Sequence, residues 1–182
     1  MGSFKLDNMC GRYLRFRDFI ECGRTYEDSQ VENIPSIENS YHALTKLAEN
    51  IIDPVIEKYG SIHLTYGFAS PNLTRLIKGR IAPKLDQHAS YELNHHGVAI
   101  CNRGGAAADF LVNNVGSLNV AKWVVENCPF DRLYFYGDQR PIHVSFGPEL
   151  NRSIVVMRPT STSSRLIPGN YNEEKFKSFE ER

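Results

Sequence analysis

The feature that most constrains this chain is a change of apolar period near residue 60. Between Asn39 and Gly60, Leu44, Leu47, Ala48, Ile51 and Ile52 recur at helical spacing, and Val55 and Ile56 continue the stripe past Pro54. Pro54 is expected to kink this helix or open a new turn, and Gly60 to stop it. Beyond Gly60 the apolar residues fall into short runs of strand length: Ile62–Tyr66, Ala106–Val112, Leu133–Tyr136, Ile142–Phe146 and Ile154–Met157. Helices first and strands after predict an α+β domain with a small antiparallel sheet behind N-terminal helices.

Three further helices are expected. One runs from Tyr13 to Arg24 around Leu14, Phe16, Phe19 and Ile20; one starts at Ser70-Pro71; one spans Val120 to Cys128 with Trp123 and Val124 inward. Ile34-Pro35-Ser36 marks a turn. Residues 82–105 are polar and turn-rich, and a loop of that length is usually functional. The reading gives one domain over residues 1–158. A polar tail over 159–182 follows, disordered or docked through Leu166, Ile167 and Tyr171.

Of the 182 residues 41% are hydrophobic, enough for a real core without a disulfide or metal staple. A metal site in such a chain is therefore functional rather than a folding requirement. Lys plus Arg and Asp plus Glu balance at 21 each, which argues against a protein that coats nucleic acid. Arg75, Lys78, Arg80 and Lys84 do string basic charge ahead of His88; a solvated helix face is the preferred reading and a nucleic-acid contact the weaker one. There is no apolar stretch of signal-peptide length and no run near the roughly 20 residues that span a bilayer. Cys10, Cys22, Cys101 and Cys128 are scattered and read as reduced thiols. The expected setting is cytoplasmic, without a membrane partner.

Among six histidines, His42, His63, His95 and His96 read as surface or hydrogen-bonded residues. His143 differs. Ile142, Val144 and Phe146 take one face of its strand, so His143 and Ser145 take the other, on a rigid sheet rim. Asp109 sits in a small-residue, apolar strand, where a carboxylate is costly unless it is paired or bound to a cation. A buried salt bridge or a cap is the alternative for Asp109. With His88, the two imidazoles and one carboxylate would leave a tetrahedral zinc one open position, the arrangement of a catalytic site. The gaps of 21 and 34 residues match no short zinc motif.

Several segments in order resemble the zinc D-alanyl-D-alanine carboxypeptidases and their hedgehog-fold relatives. They are Ile51-Ile52-Asp53-Pro54-Val55 with Tyr59-Gly60, Leu64 to Pro71, Gln87-His88, Gly105 to Asp109, and Ile142 to Ser145; together they cover about residues 39–158. The resemblance implies a hedgehog/DD-peptidase-like α+β fold, Zn2+ on His88, Asp109 and His143, and hydrolysis of an amide bond. The chain departs from the pattern in three ways. The first His and the Asp lie much closer together in the family, so Ala89 to Arg103 reads as an insertion looping over the site with Glu92, His95 and His96; either of those histidines would be the substitute ligand for His88. The family arginine that stabilises charge on the substrate carbonyl is Ala69 here, with Arg75, Arg80, Arg103 and Arg140 as replacements and Arg140 preferred. Tyr66 and Ser70, in the same matched segment, complete the expected substrate-binding set. Finally, the usual general base is missing before the last ligand, so Asp138 is the first candidate for that role and Glu92 the second, with a plain turn role as the alternative for Asp138.

The function expected from these readings is a zinc-dependent amide hydrolase acting on a peptide-like or other small amide substrate, with an altered substrate site. The alternatives are a phage-type cell-wall endopeptidase released at lysis and a non-catalytic zinc-binding recognition module.

Overall fold

A computed structural model of the chain describes residues 4–78, 83–160 and 163–181. Of the helix expected over Tyr13 to Arg24, α1 (Phe16–Ile20) forms, and a second short helix, α2 (Arg24–Ser29), begins where the expected one ends. Gly23 between them has φ +92°, on the side of the backbone map that L side chains rarely enter, so the helical path breaks there. Phe16, Phe19 and Ile20 are buried, which is the apolar face the sequence marks.

The long helix runs as α3 (Glu38–Leu47), a widened π turn (Ala48–Ile52) and α4 (Asp53–Tyr59). The widening explains how the chain passes Pro54. A proline ring clashes with the carbonyl four residues back in a regular α-helix. Here the N–H of Asp53 bonds the Ala48 carbonyl five residues back, and the π turn ends where Pro54 enters. The helix widens at the proline instead of ending.

Six strands form one open sheet: β1 (Ile62–Tyr66), β2 (Ala106–Val112), β3 (Arg132–Phe135), β4 (Ile142–Phe146), β5 (Ser153–Thr160) and β6 (Ser163–Tyr171), ordered β1-β2-β4-β3-β5-β6. Every neighbouring pair is antiparallel except β3 and β5, which are parallel. The architecture is therefore mixed α/β, and the wholly antiparallel sheet expected from sequence is corrected at that pair. The reason is the connection after β4. Residues 147–152 cross the start of β3, where the Asp131 carboxylate accepts the N–H and side-chain amide of Asn151 at 3.0 and 2.9 Å, so β5 sets off in the direction of β3.

Ala108, Phe110, Leu133, Phe135, Ile142 and Val144 occupy one face of the sheet and are at most 1% exposed. Against that face pack α3 and α6 (Ser117–Asn127), with Leu44 and Leu47 from the first and Val120 and Val124 from the second. Full burial of each such side chain contributes roughly 1.5–3 kcal/mol. A further helix, α5 (Pro71–Leu76), begins as predicted at Ser70, whose Oγ accepts the Leu73 N–H.

The segment from 159 onward, expected as a polar tail, is structural. β6 pairs along β5, and α7 (Glu173–Lys177) returns to bury Phe176 among Phe135, Tyr171 and Phe179. Of the three docking residues named from sequence, Leu166 pairs opposite Pro159 and Tyr171 packs in this aromatic cluster, while Ile167 is exposed. Among the described residues no helix is long and apolar enough to cross a membrane.

Candidate metal centre

Strand register assembles the centre. Tyr66 of β1 pairs with Asp109 of β2, Asp109 with His143 of β4, and His143 with Tyr134 of β3, so one row crosses four strands. Alternation puts this row on the sheet face away from α3 and α6, because Phe110, Ile142 and Leu133 beside it point into the core. The row is thus fixed by the same pattern that builds the fold. His88 comes from elsewhere, a 3₁₀ turn over Gln87–Ala89 that lies against β2.

Several bonds clamp that turn. Gln87 Nε2 donates to the Gly104 carbonyl at 2.9 Å and to Asp131 Oδ2 at 2.8 Å. Asp86 Oδ1 accepts the His88 N–H at 3.1 Å. The Ala69 N–H donates to the His88 carbonyl at 2.9 Å, and the His88 ring Nδ1–H donates to the Gly67 carbonyl at 2.7 Å. Ala69 is fully buried in this role, so an arginine has no room at that position. Tyr66 lies over the His88 ring at 3.9 Å between centroids, and Tyr134 meets His143 edge-on at 5.2 Å.

His88 Nε2, His143 Nδ1 and Asp109 Oδ1 converge. His88 Nε2 lies 3.2 Å from Asp109 Oδ1 and 3.1 Å from His143 Nδ1, and His143 Nδ1 lies 2.8 Å from Asp109 Oδ1. A carbonyl only accepts, so the bond to Gly67 fixes the proton on Nδ1 of His88 and leaves Nε2 of the neutral ring with a lone pair. That lone pair faces a carboxylate oxygen, which also has only lone pairs. Something positive must lie between them, a proton or a cation. The three separations approach the edge of about 3.3 Å that a tetrahedron of 2.0–2.1 Å zinc–ligand bonds requires. His88, Asp109 and His143 can therefore hold a metal ion.

The electrostatics agree. Burial alone would lower the His88 pKa, but the charge and hydrogen bond of Asp109 outweigh it and hold His88 above the ordinary imidazole value. Burial would raise Asp109, but His88 and His143 hold its carboxyl well below the usual range. Asp109 stabilises positive charge on His88, whatever brings it.

These side chains open onto a pocket of about 150 Å³ lined also by Tyr66, Tyr134 and Tyr136, by Asp86 and Gln87, and by Lys78, Arg103 and Arg132. Of the residues named from sequence, the three of the candidate metal cluster, Gln87, Tyr66, Arg103 and Lys78 of the basic string meet here. The others do not. Asp138 caps α6, with Oδ1 accepting the Leu118 N–H at 2.9 Å. Glu92 is wholly buried, and its carboxylate accepts from the backbone of Ser36 and Ile37 and from the hydroxyls of Ser36 and Ser40 at the start of α3. Ser70 caps α5, and Arg140 is exposed in a turn whose carbonyl accepts from Ser117 Oγ. Arg75 is exposed away from the pocket, and Arg80 lies outside the described residues. His95 and His96 lie against each other with tilted rings at an exposed loop tip, so the insertion reaches the pocket through Arg103 and not through its histidines.

Asp86, Arg132, Tyr134 and Tyr136 were missed as site residues. The alternation Arg132, Tyr134, Tyr136 places all three on the His143 face once β3 is paired with β4, and that was the available signal. No protein-family model matches the chain, and neither a curated protein nor a solved structure matches it.

Proposed function

We propose that the protein is a zinc-dependent amide hydrolase whose substrate site differs from that of the DD-peptidases its sequence resembles. One observation carries the reading: two imidazole nitrogens and a carboxylate oxygen within 3.2 Å of one another beside a pocket, one of the nitrogens left as a lone-pair donor because the Gly67 carbonyl holds the proton on the far side of the His88 ring. Two nitrogens and one carboxylate oxygen suit zinc better than a hard cation such as calcium or magnesium, which prefers oxygen ligands alone. Zinc held there supplies Lewis acidity toward a carbonyl oxygen and toward water.

The chain's own residues divide the remaining work. Among the described residues, Asp86 is the other carboxylate lining the pocket. In this reading it takes the proton from the attacking water and returns it to the departing amine as the C–N bond breaks. The hydroxyls of Tyr134 and Tyr136 supply donors toward the oxygen on which charge develops. Purified protein is expected to hold about one zinc per chain. His143→Ala should lose it with an unchanged far-ultraviolet circular dichroism spectrum, and a folded wild type that takes up no zinc would sink the reading. Hydrolysis is then assayed on an amide panel that includes purified cell-wall peptides.

A recognition module is the second reading, favoured by one fact: Asp138 and Glu92, the acids expected to act as base, are engaged away from the pocket. Zinc-loaded protein that binds peptides and turns none over would select it.

A further inference from the structure

Arg132 lies one step from the centre on the same face of the sheet. It pairs with Ser145 on β4, two residues along from the Tyr134–His143 pair, which is about 7 Å of strand. Its Nη1 donates to Ser153 Oγ at 3.3 Å, while its Nε is buried and has no hydrogen-bond partner. A buried guanidinium nitrogen without an acceptor costs stability unless a ligand supplies one. Arg103 and Lys78 line the same pocket, and among the described residues no carboxylate forms an ion pair with Arg132, Arg103 or Lys78. The neighbouring Asp131 is already engaged by Gln87 and Asn151.

Among the described residues, three cationic side chains thus face two carboxylates, Asp86 and Asp109, and a divalent ion would add further positive charge. One carboxylate on a substrate would leave most of this excess uncompensated. A phosphoryl group carries about −1.5 to −2 charge and three acceptor oxygens, and a guanidinium fork binds it bidentately. The pocket is also far smaller than the roughly 300–1,000 Å³ that encloses a drug-sized ligand, so it seats a small group at the end of a larger molecule. We propose that Arg132, with Arg103 and Lys78, forms a phosphoryl subsite beside the metal centre, so that the substrate class is a phosphorylated molecule bearing the scissile amide. The subsite rests on the metal-centre reading for its place in catalysis, but its binding is measurable without turnover.

Inorganic phosphate titrated calorimetrically into zinc-loaded protein, freed of excess zinc, provides the test. Phosphate is expected to bind more tightly than acetate at equal ionic strength. Arg132→Gln, and separately Arg103→Gln, should weaken phosphate roughly 10- to 100-fold while zinc content stays at the wild-type level. Arg132→Lys should recover part of the loss. Equal phosphate affinity in wild type and both Gln variants would overturn the subsite, since the metal alone would then hold the anion. Acetate binding as tightly as phosphate would overturn the phosphoryl assignment. Zinc content, read on the same samples, separates failure of the subsite from failure of the metal centre.

Discussion

At the scale of single residues, the site depends on groups that never touch a substrate. Gly67 is the clearest. Its carbonyl fixes the proton of His88, and a Cβ there would lie 2.2 Å from the carbonyl oxygen of Phe19. Backbone blocks that Cβ, so Gly67→Ala must displace the strand exit that holds His88. The expected cost is about 1–3 kcal/mol of stability, together with a roughly 10- to 100-fold loss of zinc affinity as the carbonyl that orients His88 moves. Urea midpoints and chelator competition measure the two separately, and unchanged zinc affinity would show that the Gly67 carbonyl does not orient His88. Of the three residues of the candidate metal cluster, Asp109 and His143 were legible from their own settings, among alanines and opposite a buried stripe, while His88 was named only through the family resemblance of Gln87-His88. Partners of carboxylates were not legible. Glu92 and Asp138 face backbone donors brought close only by folding, and sequence spacing carries no information about a bond between Glu92 and Ser36.

Among the elements, β1 and β4 were readable to the residue because alternation and β propensity agree there. Two features were not. The π turn was hidden because proline signals a break, while widening the helix keeps Ile51, Ile52 and Val55 buried on one stripe. β6 was hidden because Ser, Pro and Gly dilute the strand pattern of Ser163–Tyr171, and an edge strand can be held by backbone pairing to β5 without a continuous apolar face. The helix that follows it contributes to the core. Phe176 is fully buried against Phe135, whose strand also carries Tyr134 and Arg132, so Phe176→Ala is expected to cost about 3–5 kcal/mol. A chain in which residues 159–182 were only a tail would show a shift of a few tenths. Chemical denaturation of the variant decides between these outcomes.

For the whole molecule, the competition between a proton and a metal for one place links pH to stability. Without zinc, His88 titrates above its ordinary value because the charge of Asp109 outweighs the lowering effect of burial. A raised folded pKa contributes stability that is fully present below the unfolded value of about 6.5 and is lost as pH rises through the folded value. Asp109 works in the opposite sense: its lowered pKa contributes stability above the ordinary carboxylate value, lost as pH falls toward the folded one. Of these two contributions, that of His88 is the one that changes between pH 6 and 8, and through it the zinc-free protein should melt at a lower temperature as pH rises. Zinc reverses that slope, because it needs His88 Nε2 deprotonated and its binding displaces the proton. Each displaced proton makes zinc's stabilisation grow by about 1.4 kcal/mol per pH unit, or roughly 3–6 °C of Tm for a chain of this length. Calorimetric melts with zinc and with chelator across this range should therefore diverge as pH rises. Parallel curves would mean that the proton and the metal do not share the space between His88 and Asp109, and the lone-pair argument for a cation there would fail.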